Sequence, residues 1–294
     1  MTTLTNCPYC SSQRIARVLT SKDYFLTSNE FNVDRCYNCG ITFTNPIPSD
    51  SEMPMYYQSN NYLSHGGKNS SLFYNVYKLV RAFSLKWKTK IVSEAIGEKG
   101  SIMDYGCGTG DFLQTCEGKG YQIFGVEPST KAREDATAKL GPVVASSLPS
   151  VSERNFDLIT LWHVLEHVPD IATTVATLKT YLSLKGILLI AVPNHKSYDA
   201  KHYGQYWAAY DLPRHLWHFD QTTMLTVLGK AGLQVKKIIP MKLDSYYVSI
   251  LSSKYTPGNK LINLIKAIKN GLLSNTSAKK TTEYSSLIYI AKPR

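Results

Sequence analysis

No apolar run in this 294-residue chain approaches the roughly 20 residues needed to cross a bilayer, so a spanning segment is not expected. The opening MTTLTNCPYC lacks the basic start and apolar stretch of a secretory signal, and the expected address is cytoplasmic. Internal repeats and low-complexity tracts are missing too, which argues against solenoid and fibrous architectures. Acidic residues are in short supply, 22 against 33 Lys and Arg, and the net charge is +11. The shortfall is local: from Lys254 to Arg294 there are eight basic residues and one acid, Glu283. A second basic stretch, YKLVRAFSLKWKTK, runs from Tyr77 to Lys90. Such an excess suits an anionic partner (nucleic acid, a membrane surface or an acidic small molecule) or simply a solvated face. What is present is ordinary for a globular chain, 43% hydrophobic and 19% charged, with length for one large domain or one domain plus a small module.

Cysteine is scarce and uneven. Four of the six form two C-x-x-C pairs, Cys7 with Cys10 and Cys36 with Cys39, the second followed by a turn-forming Gly40. In a reducing compartment paired cysteines indicate metal rather than disulfides. Two knuckles about 25 residues apart predict one Zn²⁺ held by four thiolates. Four protein ligands leave no open position, so the ion is structural. Of the other two, Cys107 lies among glycines and Cys116 on the segment after them.

Three parts follow along the chain. Residues 1–50 hold the cysteine pairs. Residues 51–98 contain the aromatic-rich YYQSNNYLSHGGKNSS and then a helix with apolar positions Leu72, Val76, Leu79, Val80, Phe83, Trp87 and Ile91 at helical spacing. From residue 99, apolar strands (SIMDY, YQIFGVE, PVVA, FDLITLWHV, GILLIAV) alternate with helices, one of them opened by Ser129 as N-cap. That alternation predicts an α/β fold with a parallel sheet covered on both faces. LQVKKIIP and SSLIYIAK are further strands, separated by a helical insertion at 245–283.

The stretch IMDYGCGTGDFL carries Gly106, Gly108 and Gly110 at alternate positions after Asp104. A triphosphate loop needs Lys and Ser or Thr after its last glycine; Asp111 and Phe112 stand there instead. A dinucleotide loop needs its third glycine one residue later, and the acids Asp104 and Asp111 disfavour a pyrophosphate. Acids around a tight glycine turn suit a cationic ligand without phosphate, and S-adenosylmethionine is one. Glu127, ending the next strand, can accept from both hydroxyls of a ribose.

With DYGCGTGDF, GVEPS, FDLITLWHVLEHVPD and VPN, the chain resembles class I S-adenosylmethionine-dependent methyltransferases from about Ser101 to Pro240. The resemblance implies a Rossmann-like seven-stranded sheet with the final strand at an antiparallel edge. It places Asp104, Gly106, Cys107, Gly108, Gly110 and Phe112 at the methionine part of the ligand. Glu127 and Pro128 fall at the ribose, Ser146, Ser147 and Leu148 at the adenine, and Trp162 and His163 beside the sulfonium. The cysteine-rich front is similar to that of sugar C-methyltransferases of deoxysugar pathways and their relatives in surface-glycan and secondary-metabolite clusters. Domains are then a zinc-ribbon lobe at 1–50, a linker and helix at 51–98, and a methyltransferase domain at 99–294. The implied partner is a small-molecule acceptor, and the reaction O- or C-methylation. A nucleic-acid acceptor is disfavoured, because residues 1–50 are not notably basic and VPN is not the Asn-Pro-Pro-Tyr type motif of base-modifying enzymes.

Residues 194–220 hold four of the seven histidines, His195, His202, His215 and His218, with Tyr206, Trp207, Tyr210 and Trp217. A loop leaving the carboxyl end of such a strand faces the ligand crevice. In the sugar C-methyltransferases the comparable loop reads roughly His-Glu-His-x-x-Tyr-Phe-Ser, with its second His as base. Laid on PRHLWHFD, that base is His215, while Arg214 and His218 replace the Glu and the Tyr. His218, His163 and Tyr210 are further candidates on the acceptor side. His163 and His167 otherwise fit as pocket-shaping residues. In the insertion, Leu261, Leu264, Ile265, Ile268 and Leu272 form one apolar helix face near Lys260, Lys266 and Lys269. The expectation is that this face packs on the core as a cap over the crevice. The rival is peripheral membrane contact through 258–273.

Overall fold

A computed structural model describes residues 1–49, 51–57 and 72–294, the side chains of 72–80 aside. Most of the aromatic-rich linker, and the side chains of Leu72, Val76, Leu79 and Val80, lie outside the described residues.

The chain opens with three antiparallel strands, β1 (Ile15–Lys22), β2 (Glu30–Cys36) and β3 (Thr42–Asn45). A long helix, α1 (Leu72–Ile96), leads into the alternating region: β4 (Ser101–Tyr105), α2 (Asp111–Glu117), β5 (Gln122–Val126), α3 (Thr130–Leu140), β6 (Val144–Ala145), β7 (Phe156–Trp162), α4 (Ile171–Tyr181) and β8 (Leu182–Pro193). The histidine-rich segment contributes a short helix α5 (Tyr198–Tyr203) and a two-residue strand β9 (Trp217–His218). After it come α6 (Gln221–Lys230), β10 (Leu233–Pro240), α7 (Asp244–Tyr255), α8 (Lys260–Thr281) and β11 (Ser286–Pro293).

The main sheet has seven strands in the order β10-β11-β8-β7-β4-β5-β6. All are parallel except β11, which runs antiparallel to both its neighbours. The expected edge position for β11 is corrected here: β10 is the edge and β11 lies inside it. The reason is composition. Six of the eight β11 residues are buried, whereas β10 is half exposed and carries Lys236 and Lys237. Alternate strand residues feed two cores. Met103, Leu188 and Ile190 face Val175, Leu178 and Val227 of α4 and α6; Ile102, Ile187 and Leu189 face Ile91 and Leu113 of α1 and α2. The chain turns from β4 toward β5 on one side and places β7 on the other, so the crevice lies beyond the ends of β4 and β7.

The cysteine lobe takes its fourth strand, β9, from the histidine loop, where Phe43 pairs with Trp217 and Thr42 with His218. Cys7, Cys36 and Phe43 share one core with Leu216, Phe219 and the sheet. One helix expectation holds and one needs correction. Ser129 is the N-cap of α3 as expected, although its side chain makes no capping hydrogen bond; Arg133 donates to the Glu127 and Pro128 carbonyls beside it. The apolar face of α8 does not pack on the core. Leu261 is 68% exposed, Ile265 63%, Ile268 54% and Leu272 56%. The helix docks through Ala267, Asn270, Gly271, Ser274 and Ala278, small enough for Tyr246 of α7 to touch the Gly271 backbone. Close packing through small residues, fixed by Asn270 to His202 and Ser274 to Asp199, outweighs burial of the larger side chains.

Candidate active site

The apolar β4 leads into a turn that only glycines permit at two points. Gly106 has φ +78°, and a Cβ there would meet Val164 at 2.5 Å, so the turn lies hard against the segment after β7. Gly108 has φ +55°, and a Cβ there would meet nothing within 4 Å. That open face is where a ligand can approach the backbone. Glu127 stands beside it, its Oε2 accepting from the Gly108 amide at 2.8 Å and its Oε1 from the Ser129 amide at 2.8 Å. Each oxygen keeps a lone pair for a further donor, as a ribose diol requires. The residues present therefore fit the methionine–ribose part of S-adenosylmethionine.

The acids of the turn are less free than their spacing suggests. Asp111 is held below the usual carboxylate range against its burial by Lys139, at 2.9 Å, and by Thr109 and Arg81. Asp104 is buried on Thr160 at 2.6 Å, and burial pushes its carboxyl up to about 7. Cys107 points its thiol under Gly125, and Phe112 packs edge-on against Trp162 at 5.4 Å; both lie in the core, so only their backbone can face a ligand. Leu148 is buried, with its carbonyl accepting from Tyr181, while Ser146 and Ser147 are exposed.

Beyond β7 the chain bends sharply, with His163 in the left-handed region at φ 58°. Its Nδ1 lies 3.3 Å from Glu166 and its Nε2 3.1 Å from Asp244. Burial pushes this imidazole down, but the two carboxylates outweigh it and hold it at about 9. His163 is thus a cation rather than a base at neutral pH. Lys88 sits over the neighbouring Trp162 ring at 4.4 Å.

The segment after β7 also meets the histidine loop. Leu216 donates to the Glu166 carbonyl, and the His167 and His215 rings pack edge-to-face at 4.5 Å. His215 donates from Nδ1 to the Ala209 carbonyl at 2.8 Å, because a carbonyl can only accept, which leaves Nε2 with its lone pair. Asp211 Oδ2 lies 3.9 Å from that Nε2. Asp211 is itself gripped by Arg214, which stands at 2.6 Å and holds the carboxyl low against burial. His167 has Arg214 O at 3.0 Å and the Tyr57 hydroxyl at 3.1 Å from Nδ1; burial and then His215 push it down to about 4.

The remaining candidates scatter. His218 is buried on β9 against Thr44, at 3.0 Å, and joins the lobe to the loop. Tyr210 packs between Trp207 and His218, its hydroxyl pushed up to about 12 by burial. His195 lies by Asp220, and His202 is used in docking α8. Sequence reasoning does not single out Glu166, Asp211, Asp244 or Tyr57, and it gives His167 only pocket-shaping and helix-start roles. The spacing Glu166–His167 beside β7 was the one visible signal.

In the lobe, Cys7 and Cys39 Sγ are 3.7 Å apart and Cys10 and Cys36 Sγ 3.6 Å, and all four sulfurs cluster within 4.8 Å. A zinc–sulfur bond of about 2.3 Å gives a tetrahedral edge of about 3.8 Å, so the four thiols fit one structural zinc.

This sheet order, with a glycine turn after β4 and an acid at the end of β5, is that of the S-adenosylmethionine-dependent methyltransferases. The chain belongs to the methyltransferase-domain family Methyltransf_23, whose model matches residues 78–238. It is similar to a ubiquinone biosynthesis O-methyltransferase of Stutzerimonas stutzeri, 26% identical over 54% of this chain and 74% of that one. It is also similar to one of Haemophilus ducreyi, 23% identical over 57% and 78%. Among solved structures, a geranyl diphosphate C-methyltransferase of Streptomyces coelicolor superposes with TM-score 0.52 at 13% identity, over 78% of this chain and 88% of that one. A possible histamine N-methyltransferase of Thermotoga maritima gives 0.51 at 17%, over 75% and 95%. At these identities the structures share the fold alone. Among the described residues no helix is long and apolar enough to cross a membrane.

Glu127→Ala is expected to weaken S-adenosylmethionine binding about ten- to a hundredfold, the loss of a charge-assisted hydrogen bond of roughly 1.5–3 kcal/mol. Calorimetric titration checks it, and unchanged affinity would remove Glu127 from the ribose.

Proposed function

We propose that this enzyme moves the methyl group of S-adenosylmethionine to an oxygen or an acidic carbon of a small-molecule acceptor, with His215 as the base. The observation that carries the reading is the His167–His215 pair at 4.5 Å, joined to the segment after β7 on which the glycine turn rests. Displacement at a sulfonium methyl is mostly a matter of alignment. An acceptor hydroxyl or acidic C–H must also lose its proton, and His215 Nε2 can take it while the Asp211 carboxylate steadies the resulting imidazolium. Beside this pair the lobe, the loop and the end of α7 line a small open recess walled by Tyr24, Phe25, Trp207, Tyr210 and Tyr255 with Asp211 and Arg214. The recess has room for about one water molecule, so a sugar-like acceptor is proposed on the resemblance to sugar C-methyltransferases and not on the fit of these walls. The test is incubation of the enzyme with deuteromethyl-labelled S-adenosylmethionine and a cell extract. A labelled small molecule bearing an O- or C-methyl group supports the reading; label found in RNA instead contradicts it.

The outward face of α8 favours an acceptor carried at a membrane. Residues 245–282 hold six lysines and no acid, and Lys260, Lys266 and Lys269 border the exposed Leu261, Ile265, Ile268 and Leu272. A basic helix with an unburied apolar stripe fits the interface of an anionic bilayer, each basic residue adding about 1 kcal/mol. The ubiquinone biosynthesis relatives are compatible with an acceptor of that kind. Co-sedimentation with vesicles containing phosphatidylglycerol is expected at low salt, reduced at high salt and abolished by Lys266→Glu with Lys269→Glu. Protein that stays in the supernatant under all conditions would rule the membrane out.

A further inference from the structure

Glu166 is fully buried, and neither of its side-chain oxygens has a hydrogen-bond partner. His163 lies 3.3 Å from one oxygen as a charge neighbour and is shared with Asp244. Its charge is met by the His163 cation, but with no hydrogen bond made to either oxygen both keep lone pairs for a further ligand. One ligand atom each from Glu166, His167 and His215 lies within 4.8 Å of the others. Ligands about 2.1 Å from one ion stand about 3–3.5 Å apart, so the trio closes on an ion with shifts of about an ångström. Both imidazoles are also prepared for this. His215 Nδ1 is fixed on Ala209 O at 2.8 Å and His167 Nδ1 on Arg214 O at 3.0 Å, which leaves each Nε2 lone pair available. Backbone carbonyls on the far nitrogen are how metal-binding histidines are commonly oriented.

We propose that Glu166, His167 and His215 bind a divalent transition-metal cation, separate from the zinc of the lobe, and that this cation holds the acceptor oxygen. The proposal rests on the reading of this pocket as the acceptor end and changes one part of it. With the ion present, His215 Nε2 is a ligand, and the ion rather than the imidazole lowers the pKa of the acceptor hydroxyl. The hydroxyl gives its proton to solvent hydroxide, forming water. The oxygen's electron pair then bonds to the methyl carbon as the carbon–sulfur bond breaks, and that pair leaves with sulfur as a neutral thioether. Two nitrogens and one carboxylate suit a first-row cation and leave positions open for the acceptor.

The probe is Mn²⁺ alone, added to the zinc-loaded full chain and followed by the loss of free-ion electron paramagnetic resonance signal. Four thiolates favour zinc and give Mn²⁺ no competing site. The expected result is about one Mn²⁺ per chain at micromolar concentration, weakened more than about tenfold by Glu166→Gln and by His167→Ala. Retained S-adenosylmethionine binding shows that each variant is folded. Nitrogen couplings from two imidazoles on the bound Mn²⁺ of the unmutated protein are an expectation that needs no variant. Absence of binding, or binding that both variants keep, overturns the proposal. If Mn²⁺ fails to bind while His215→Ala still abolishes turnover, the ion is ruled out and His215 remains as the base.

Discussion

His215→Ala is expected to lower turnover by about 10²- to 10⁴-fold, the usual contribution of a positioned proton-transfer group, and to leave S-adenosylmethionine affinity essentially unchanged. The split follows from placement. Glu127 and the open face of Gly108 lie on the proposed cofactor side, whereas His215 lies across the segment after β7, pinned through Nδ1 to Ala209. The other histidines should behave differently. His163 is held as a cation by Asp244 and Glu166, so His163→Ala removes the nearest charge partner of the buried Glu166 and should act first on stability. His218 bonds to Thr44 in the lobe seam, and its loss should loosen the loop rather than remove a base. The check is turnover with the identified acceptor beside calorimetry with S-adenosylmethionine. Variants of His215 that retain most of the turnover would displace it from the acceptor end.

Loss of zinc should have an effect of comparable size by another route. Structural zinc in small four-ligand sites supplies on the order of 10 kcal/mol to folding, more than a lobe of this size gains from its own core. Cys39→Ser is therefore expected to release zinc and unfold the lobe. The damage should not stop there. β9 is the lobe's fourth strand, and Thr44 binds both His218 and the His215 carbonyl. Without the lobe, the segment that carries Arg214 and His215 loses one of its walls, so turnover should fall with zinc content while cofactor affinity changes little. Elemental analysis, limited proteolysis and turnover on the same sample check this. A zinc-free chain with native proteolysis and full turnover would contradict it.

Local features were legible and their partners were not. The strands from β4 to β8 are apolar runs between turn signals, and the glycine turn and cysteine knuckles are contiguous, so pattern alone located them. The place of β11 depends on which neighbour best buries it, which no period along the chain records. The orientation of α8 inverted because the small face Ala267, Asn270, Gly271 and Ser274 finds specific partners on α5 and α7, an advantage invisible to a count of apolar positions. Asp111 read as a free acid until Arg81, 30 residues upstream, and Lys139, 28 residues downstream, came to meet it. The pairing of Glu166 and His167 with the loop is hidden for a similar reason. Their significance lies in facing His215, 48 residues from His167, across a fold that had yet to form.

The most direct measurement is a crystal structure with S-adenosylmethionine bound, read for the distance from the sulfonium methyl carbon to His215 Nε2. An acceptor atom must fit between them, about 3–3.5 Å from the methyl and about 3 Å from the nitrogen. The expected result is a methyl group turned toward the His167–His215 pair at about 6 Å, with the ribose hydroxyls on Glu127. A methyl group directed away from the pair, or separated from it by more than about 10 Å with the loop in place, would contradict the assignment of the acceptor end.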